Sequence, residues 1–398
     1  MSASLWLHIG AVGPKRVSAP DNLTAPAEEF ELVDNVASPL DVADLVFFDP
    51  ASTGFSRVDE GGAPADYFSI QSDAAQFVAF VDAWLERHER DDAPVFILGE
   101  SYGTMRAAEA AGQMAEEGGP PPAEGVFLMG QAVNIIEYSQ RPQNIISYAV
   151  SVPTLAAMGW EQGKVEAKGR SFDAFMADAT AFGETDYLLA LFQGNRLGED
   201  ERRRVAAKLE EYTGISADYY LDNRLRITKQ AYRVELLKDE GKVLGRSDGR
   251  YVGQDPKRDA SGVLQEAYLS AFKAYVSDVF GLEIDDRYKT IADVGGLNAW
   301  GWGASSPFGH YDYSDRLDGA FSANPDFRLL IGNGYHDTMT TVGAATYLAA
   351  QADWPKDRVK LSFYPGGHMA YSIDESAVAF GNDIRAWIEG ADNWGADD

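Results

Sequence analysis

A serine with a glycine two residues away on either side, Gly99-Glu100-Ser101-Tyr102-Gly103, stands between a strand-favouring run, Val95-Phe96-Ile97-Leu98, and an alanine-rich stretch that favours a helix. A serine in that setting sits on a tight turn from strand to helix, where the glycines let the backbone pass without a clash and the hydroxyl projects beyond the strand's end. Such a turn demands a buried strand before it and a packed helix after it. It therefore constrains the neighbouring chain to alternate between the two.

The alternation is present. Short apolar runs bounded by turn residues, Ala43 to Phe48, Val95 to Leu98, Gly125 to Met129, Phe327 to Ile331 and Val359 to Phe363, read as buried parallel strands. Ser72 to Arg90, with Phe77, Val81, Trp84 and Leu85 on one stripe, and Gly103 to Glu117 read as helices. The expected fold is a doubly wound, mostly parallel α/β sheet of the α/β-hydrolase type. Between Gln131 and Gly303 the rhythm breaks. Charged helical stretches, Glu199 to Tyr212 and Ile227 to Glu240, and a polar turn, Gly245-Arg246-Ser247-Asp248-Gly249-Arg250, replace the strands. Residues 1–131 and 304–398 are expected to form the core, and 132–303 an inserted helical lid.

Composition narrows the chemistry. A formal charge of -28 repels phosphate backbones, which argues against a nucleic-acid partner. No run is apolar enough to span a membrane. Without cysteine there is no disulfide, thiolate nucleophile or cysteine metal site, and the acidic residues lack the spacing of a calcium loop, so no metal or other cofactor is expected. Oxygen and imidazole chemistry remain.

A serine hydroxyl is a weak nucleophile at neutral pH and needs a base to take its proton and an acid to orient that base. In this fold the chain order is serine, acid, histidine. Of five histidines, His8 and His88 precede Ser101, leaving His310, His336 and His368. His368, in Pro365-Gly366-Gly367-His368-Met369, lies just past the last expected strand and is the candidate base. Asp337, in Gly334-Tyr335-His336-Asp337-Thr338, follows the strand before it and is the candidate acid. His310 and His336 are expected to be structural or solvent-facing.

These segments, together with Leu45-Val46-Phe47-Phe48-Asp49-Pro50-Ala51-Ser52-Thr53-Gly54-Phe55-Ser56, Trp6-Leu7-His8 through Gly13-Pro14-Lys15-Arg16-Val17, and Gly245-Arg246 through Gly253, resemble the signature blocks of the serine carboxypeptidases, most of all their bacterial branch. The resemblance implies a peptidase acting on peptides with a free C-terminus, one residue at a time. It implies Ser101 as nucleophile, His368 as proton shuttle, Asp337 as its orienting acid, the Tyr102 backbone N–H as an oxyanion donor, and Glu100 as a group that holds the substrate's carboxylate. A carboxyl facing a carboxylate must be protonated, which predicts an acidic optimum. The plainer alternative for Glu100 is a hydrogen bond that only supports the elbow.

Two features depart from the family pattern. Its Asn-Gly-Gly-Pro-Gly block, which gives the second oxyanion N–H, is missing, since an ungapped alignment puts Met1 on the block's last glycine. Losing one such donor costs about 10² to 10³ in rate. Ala11 stands where many eukaryotic members have a second Glu. The expectation is a true start upstream of Met1, where an export signal would also lie. A truncated, weakly active or inactive peptide-binding relative is the other reading, and an esterase or acyltransferase on the same scaffold a third. Preferred side chain and oligomeric state are not encoded in any motif.

Overall fold

The structure is a computed structural model and describes residues 1–63, 66–116, 120–285, 287–303 and 312–390. A short antiparallel pair, β1 (Lys15–Ser18) and β2 (Glu31–Asp34), comes first. Helix α1 (Ile70–Arg87) follows, its first turn closed by Ser69, whose hydroxyl accepts from the Ser72 N–H at 3.0 Å. Next come β3 (Phe96–Glu100), α2 (Tyr102–Met114) and β4 (Gly125–Met129).

The chain then leaves the sheet. Among its helices there are α3 (Val152–Glu161), α4 (Phe172–Phe182), α5 (Glu199–Thr213), α6 (Lys229–Glu235) and, after a two-residue hairpin pair β5 (Val243–Leu244) and β6 (Val252–Gly253), α7 (Gly262–Phe280). It returns through α8 (Ser314–Ala323), β7 (Arg328–Gly334), α9 (Val342–Gln351), β8 (Val359–Tyr364) and α10 (Asp374–Glu389).

The central sheet runs β3-β4-β7-β8, and every neighbouring pair is parallel. Both of its faces are covered, which is what makes its strands read as unbroken apolar runs. Val126, Leu128, Leu329 and Ile331 face one side, with α2, α8 and α9, while Phe127, Met129 and Leu330 face the other, with α7, α10 and the N-terminal segment. A third apolar cluster lies wholly in the helical stretch from Tyr148 to Leu244, where Tyr220 and Tyr232 are fully buried. Burying an apolar side chain of that cluster such as Phe175 or Leu209 is worth about 1.5–3 kcal/mol.

Two expectations need correction. Ala43 to Phe48 forms no strand among the described residues. Leu45 and Phe47 pack with the N-terminal cluster and Phe48 against Phe77 and Phe80 of α1, so the side chains alternate as in a strand, but no ladder partner accompanies them. The helix expected over Ile227 to Glu240 is confined to α6, with a 3-10 turn at Lys238–Glu240. Charged helix formers made the two look continuous.

Candidate active site

Parallel strands deliver their following loops to one edge of the sheet, and the site is assembled there. β3 ends at Glu100, β4 at Met129, β7 at Gly334 and β8 at Tyr364, and the residues that follow converge.

Ser101 has φ 56° and ψ -122°, a sparsely populated conformation for a residue with a Cβ. Its N–H donates to the Met129 carbonyl at 2.9 Å, and α2 begins at the next residue. The elbow is so tight that a Cβ on Gly99 would lie 2.2 Å from the Gly103 carbonyl oxygen, which explains the first glycine of the motif. Tyr102 opens α2, where a backbone N–H has no intrahelical acceptor and can serve an anion. Its phenol donates to the buried Asp73 of α1 at 2.9 Å, and Arg106 donates to the same oxygen at 2.8 Å, anchoring the elbow helix to α1.

Asp337 is fully buried. One oxygen accepts the Met339 N–H at 2.7 Å and the Thr340 N–H at 3.2 Å; the other accepts the Thr340 hydroxyl at 2.5 Å and faces His368 Nδ1 at 2.6 Å. Burial pulls the imidazole's pKa down, but the charge and hydrogen bond of Asp337, joined by Glu100, push it up to about 9, with Arg246 opposing. The ring lies against Gly130, the residue after Met129, where an added Cβ would come within 3.2 Å of His368 Cε1. Among the described residues no hydrogen bond joins Ser101 Oγ to the ring, as is common before substrate binds.

Glu100 Oε1 accepts from Tyr371 OH at 2.6 Å. Burial raises its pKa, opposed by His368 and the phenol, with the charge of Asp337 adding to the rise. Lys229 of α6 is a further charged group near the acid: its Nζ donates to the Met339 carbonyl at 3.2 Å, and burial brings its pKa down to about 8 against the pull of Asp337. Neither Tyr371 nor Lys229 follows from a motif.

The remaining histidines stand apart. His8 stacks on Phe47 with ring centroids 4.1 Å apart, and burial takes it down to about 4. His88 packs against Trp84 on the surface. His336 is buried and accepts the Gly366 N–H on Nδ1 at 3.3 Å. His310 lies outside the described residues. No group of three or more His, Asp or Glu side chains is placed to hold a metal among the described residues, and no helix there is long and apolar enough to cross a membrane.

The segment that carries the elbow, with the strand before it and the helix after it, is also where a likeness to a known family falls. Residues 8–119 match the serine carboxypeptidase family. The match spans less than a third of the 398 residues and supports serine carboxypeptidase-like hydrolase chemistry in general. It takes in Glu100, Ser101 and Tyr102 and stops well short of Asp337 and His368. A search of the curated proteins found no match. For the serine carboxypeptidase reading, the acid and base therefore rest on geometry alone.

Proposed function

We propose that the protein is a serine-type carboxypeptidase in which Ser101, His368 and Asp337 form the triad. The observation that carries this is the buried Asp337–His368 contact at 2.6 Å, at the sheet edge where Ser101 stands on its strained elbow.

In this mechanism His368 Nε2 takes the Ser101 hydroxyl proton as Oγ attacks the carbonyl of the last peptide bond. The negative charge that develops on the carbonyl oxygen is met by the Tyr102 N–H. The tetrahedral species collapses as His368 gives its proton to the departing amine, leaving an acyl-serine and a free C-terminal amino acid. Water, deprotonated by the same imidazole, then hydrolyses the ester and restores the hydroxyl. Asp337 holds Nδ1–H throughout, so that Nε2 is the nitrogen that exchanges protons. Glu100, with its pKa raised by burial, offers a carboxylic acid proton to the substrate's terminal carboxylate.

Release of a free C-terminal amino acid from an N-blocked dipeptide, together with stoichiometric labelling of Ser101 by a serine-directed phosphonate, tests the proposal. Turnover of simple esters without peptide turnover would favour an esterase. Absence of labelling would leave a peptide-binding relative.

A further inference from the structure

The turn between β5 and β6, Gly245 to Arg250, comes from the helical stretch far from the triad in sequence, yet it grips both loops that carry the acid and the base. The His368 N–H donates to the Ser247 carbonyl at 2.6 Å. The Gly367 N–H donates to Asp248 Oδ2 at 3.1 Å. On the acid's side the Thr338 hydroxyl donates to the Arg246 carbonyl at 2.7 Å, and the Gly249 N–H donates to the His336 carbonyl at 2.9 Å. The approach is close: a Cβ on Gly367 would lie 2.2 Å from the Ser247 carbonyl oxygen.

Asp248 is the centre of this arrangement. Its carboxylate is buried and is held by Arg250 through Nη2 at 2.6 Å and Nε at 3.0 Å. A buried charge is retained only where its partner and hydrogen bonds are good, and here one of those hydrogen bonds reaches the residue immediately before the imidazole. The turn is itself pinned from two directions. Asp259 takes the N–H groups of Arg246 and Ser247 at 2.7 and 3.1 Å, and Arg233 of α6 donates to the carbonyls of Leu244 and Gly245 at 3.0 Å each.

We propose that Asp248, fixed by Arg250, is a positioning residue for His368, and that the 245–250 turn sets the separation and angle between the acid loop and the base loop. The proposal rests on the triad reading given above. Its content is that the imidazole reaches Asp337 in register because a turn outside the triad holds the backbone on both sides. Misplacing a catalytic group by about 1 Å can cost roughly 10²-fold, so a loss of grip is readable.

The test uses Asp248→Asn, which keeps the shape and removes the charge that Arg250 holds, and Thr338→Val, which removes the hydroxyl on the acid side. Two measurements are made on the full chain: the downfield proton resonance of His368 Nδ1–H by NMR, and the rate constant for phosphonate labelling of Ser101. Each variant is expected to lose that resonance to faster exchange with water and to label roughly 10- to 100-fold more slowly, while KM for a blocked dipeptide changes far less than kcat. A folded D248N with the wild-type resonance and labelling rate overturns the proposal. So does a loss that only follows the folded fraction, with folded molecules keeping the resonance. If D248N does not fold, T338V and Arg250→Lys decide by the same criteria. Wild-type protein that shows the resonance but is not labelled would count against the hydrolase reading, and the positioning claim would still be read from NMR.

Discussion

The Thr340 hydroxyl donates at 2.5 Å to the same Asp337 oxygen that faces His368 Nδ1. Together with the two backbone N–H groups on the other oxygen, this leaves the carboxylate no freedom to turn away from the ring. Hydrogen bonds to charged groups contribute about 1.5–3 kcal/mol, so Thr340→Val should lower kcat/KM on a blocked dipeptide by roughly 10- to 100-fold. Asp337→Asn, which leaves the wrong imidazole tautomer, should cost roughly 10⁴ in kcat. Steady-state kinetics on the two variants checks the ranking, and a T340V that outdoes D337N would contradict it.

Glu100 and His368 each favour the other's charged form: the glutamate's negative charge raises the imidazole's affinity for a proton, and the imidazolium lowers the glutamate's, against the larger rise that burial gives it. In the proposed mechanism the working form has Glu100 protonated and His368 neutral. It carries the same number of protons as the form with an ionised glutamate and an imidazolium, so the pH profile reports the pair and not either residue. Removing the charge in Glu100→Gln takes away one of the groups that raise His368. The rising limb of kcat/KM against pH, which follows deprotonation of the base, should then move to lower pH, and the falling limb that follows ionisation of Glu100 should vanish. A pH profile of E100Q that superimposes on the wild type would remove Glu100 from the site.

The backbone at Ser101 stores strain of about 1–3 kcal/mol, because a Cβ is held at φ 56° and ψ -122°. Serine to alanine keeps that strain and serine to glycine relieves it, less about 0.5–1 kcal/mol for the extra freedom of glycine in the unfolded chain. Both variants should be inactive, yet Ser101→Gly should be more stable than Ser101→Ala by about 1 kcal/mol. Urea unfolding midpoints at matched slopes measure the difference.

The sheet was legible because burial on both faces forces β-branched and aromatic runs, and Gly125 to Met129 matches β4 residue for residue. Ala43 to Phe48 carries the same signal and lacks the ladder, since alternation is a property of one segment and pairing is a property of two. Ser101, Asp337 and His368 could be named from chain order and their places after strands. Their supports could not. Tyr371 meets Glu100 across 271 positions and Asp248 meets Gly367 across 119, and no spacing rule links residues so far apart. Only Thr340, three residues past the acid, had a local signal, because a hydroxyl at that distance often closes on an aspartate side chain.

β3 carries the serine elbow and is laddered to β4 alone, which leaves the strand as one margin of the central sheet among the described residues. A strand margin offers its N–H and C=O groups to any extended chain, a second molecule of the same kind included. The surplus of acid over base, 62 Asp and Glu against 34 Lys and Arg, opposes the approach of a second copy to that margin. Salt shortens the reach of that repulsion to roughly 3 Å at 1 M. The net charge that opposes nucleic acid therefore also opposes self-association, and strong brine is where that opposition should fail first.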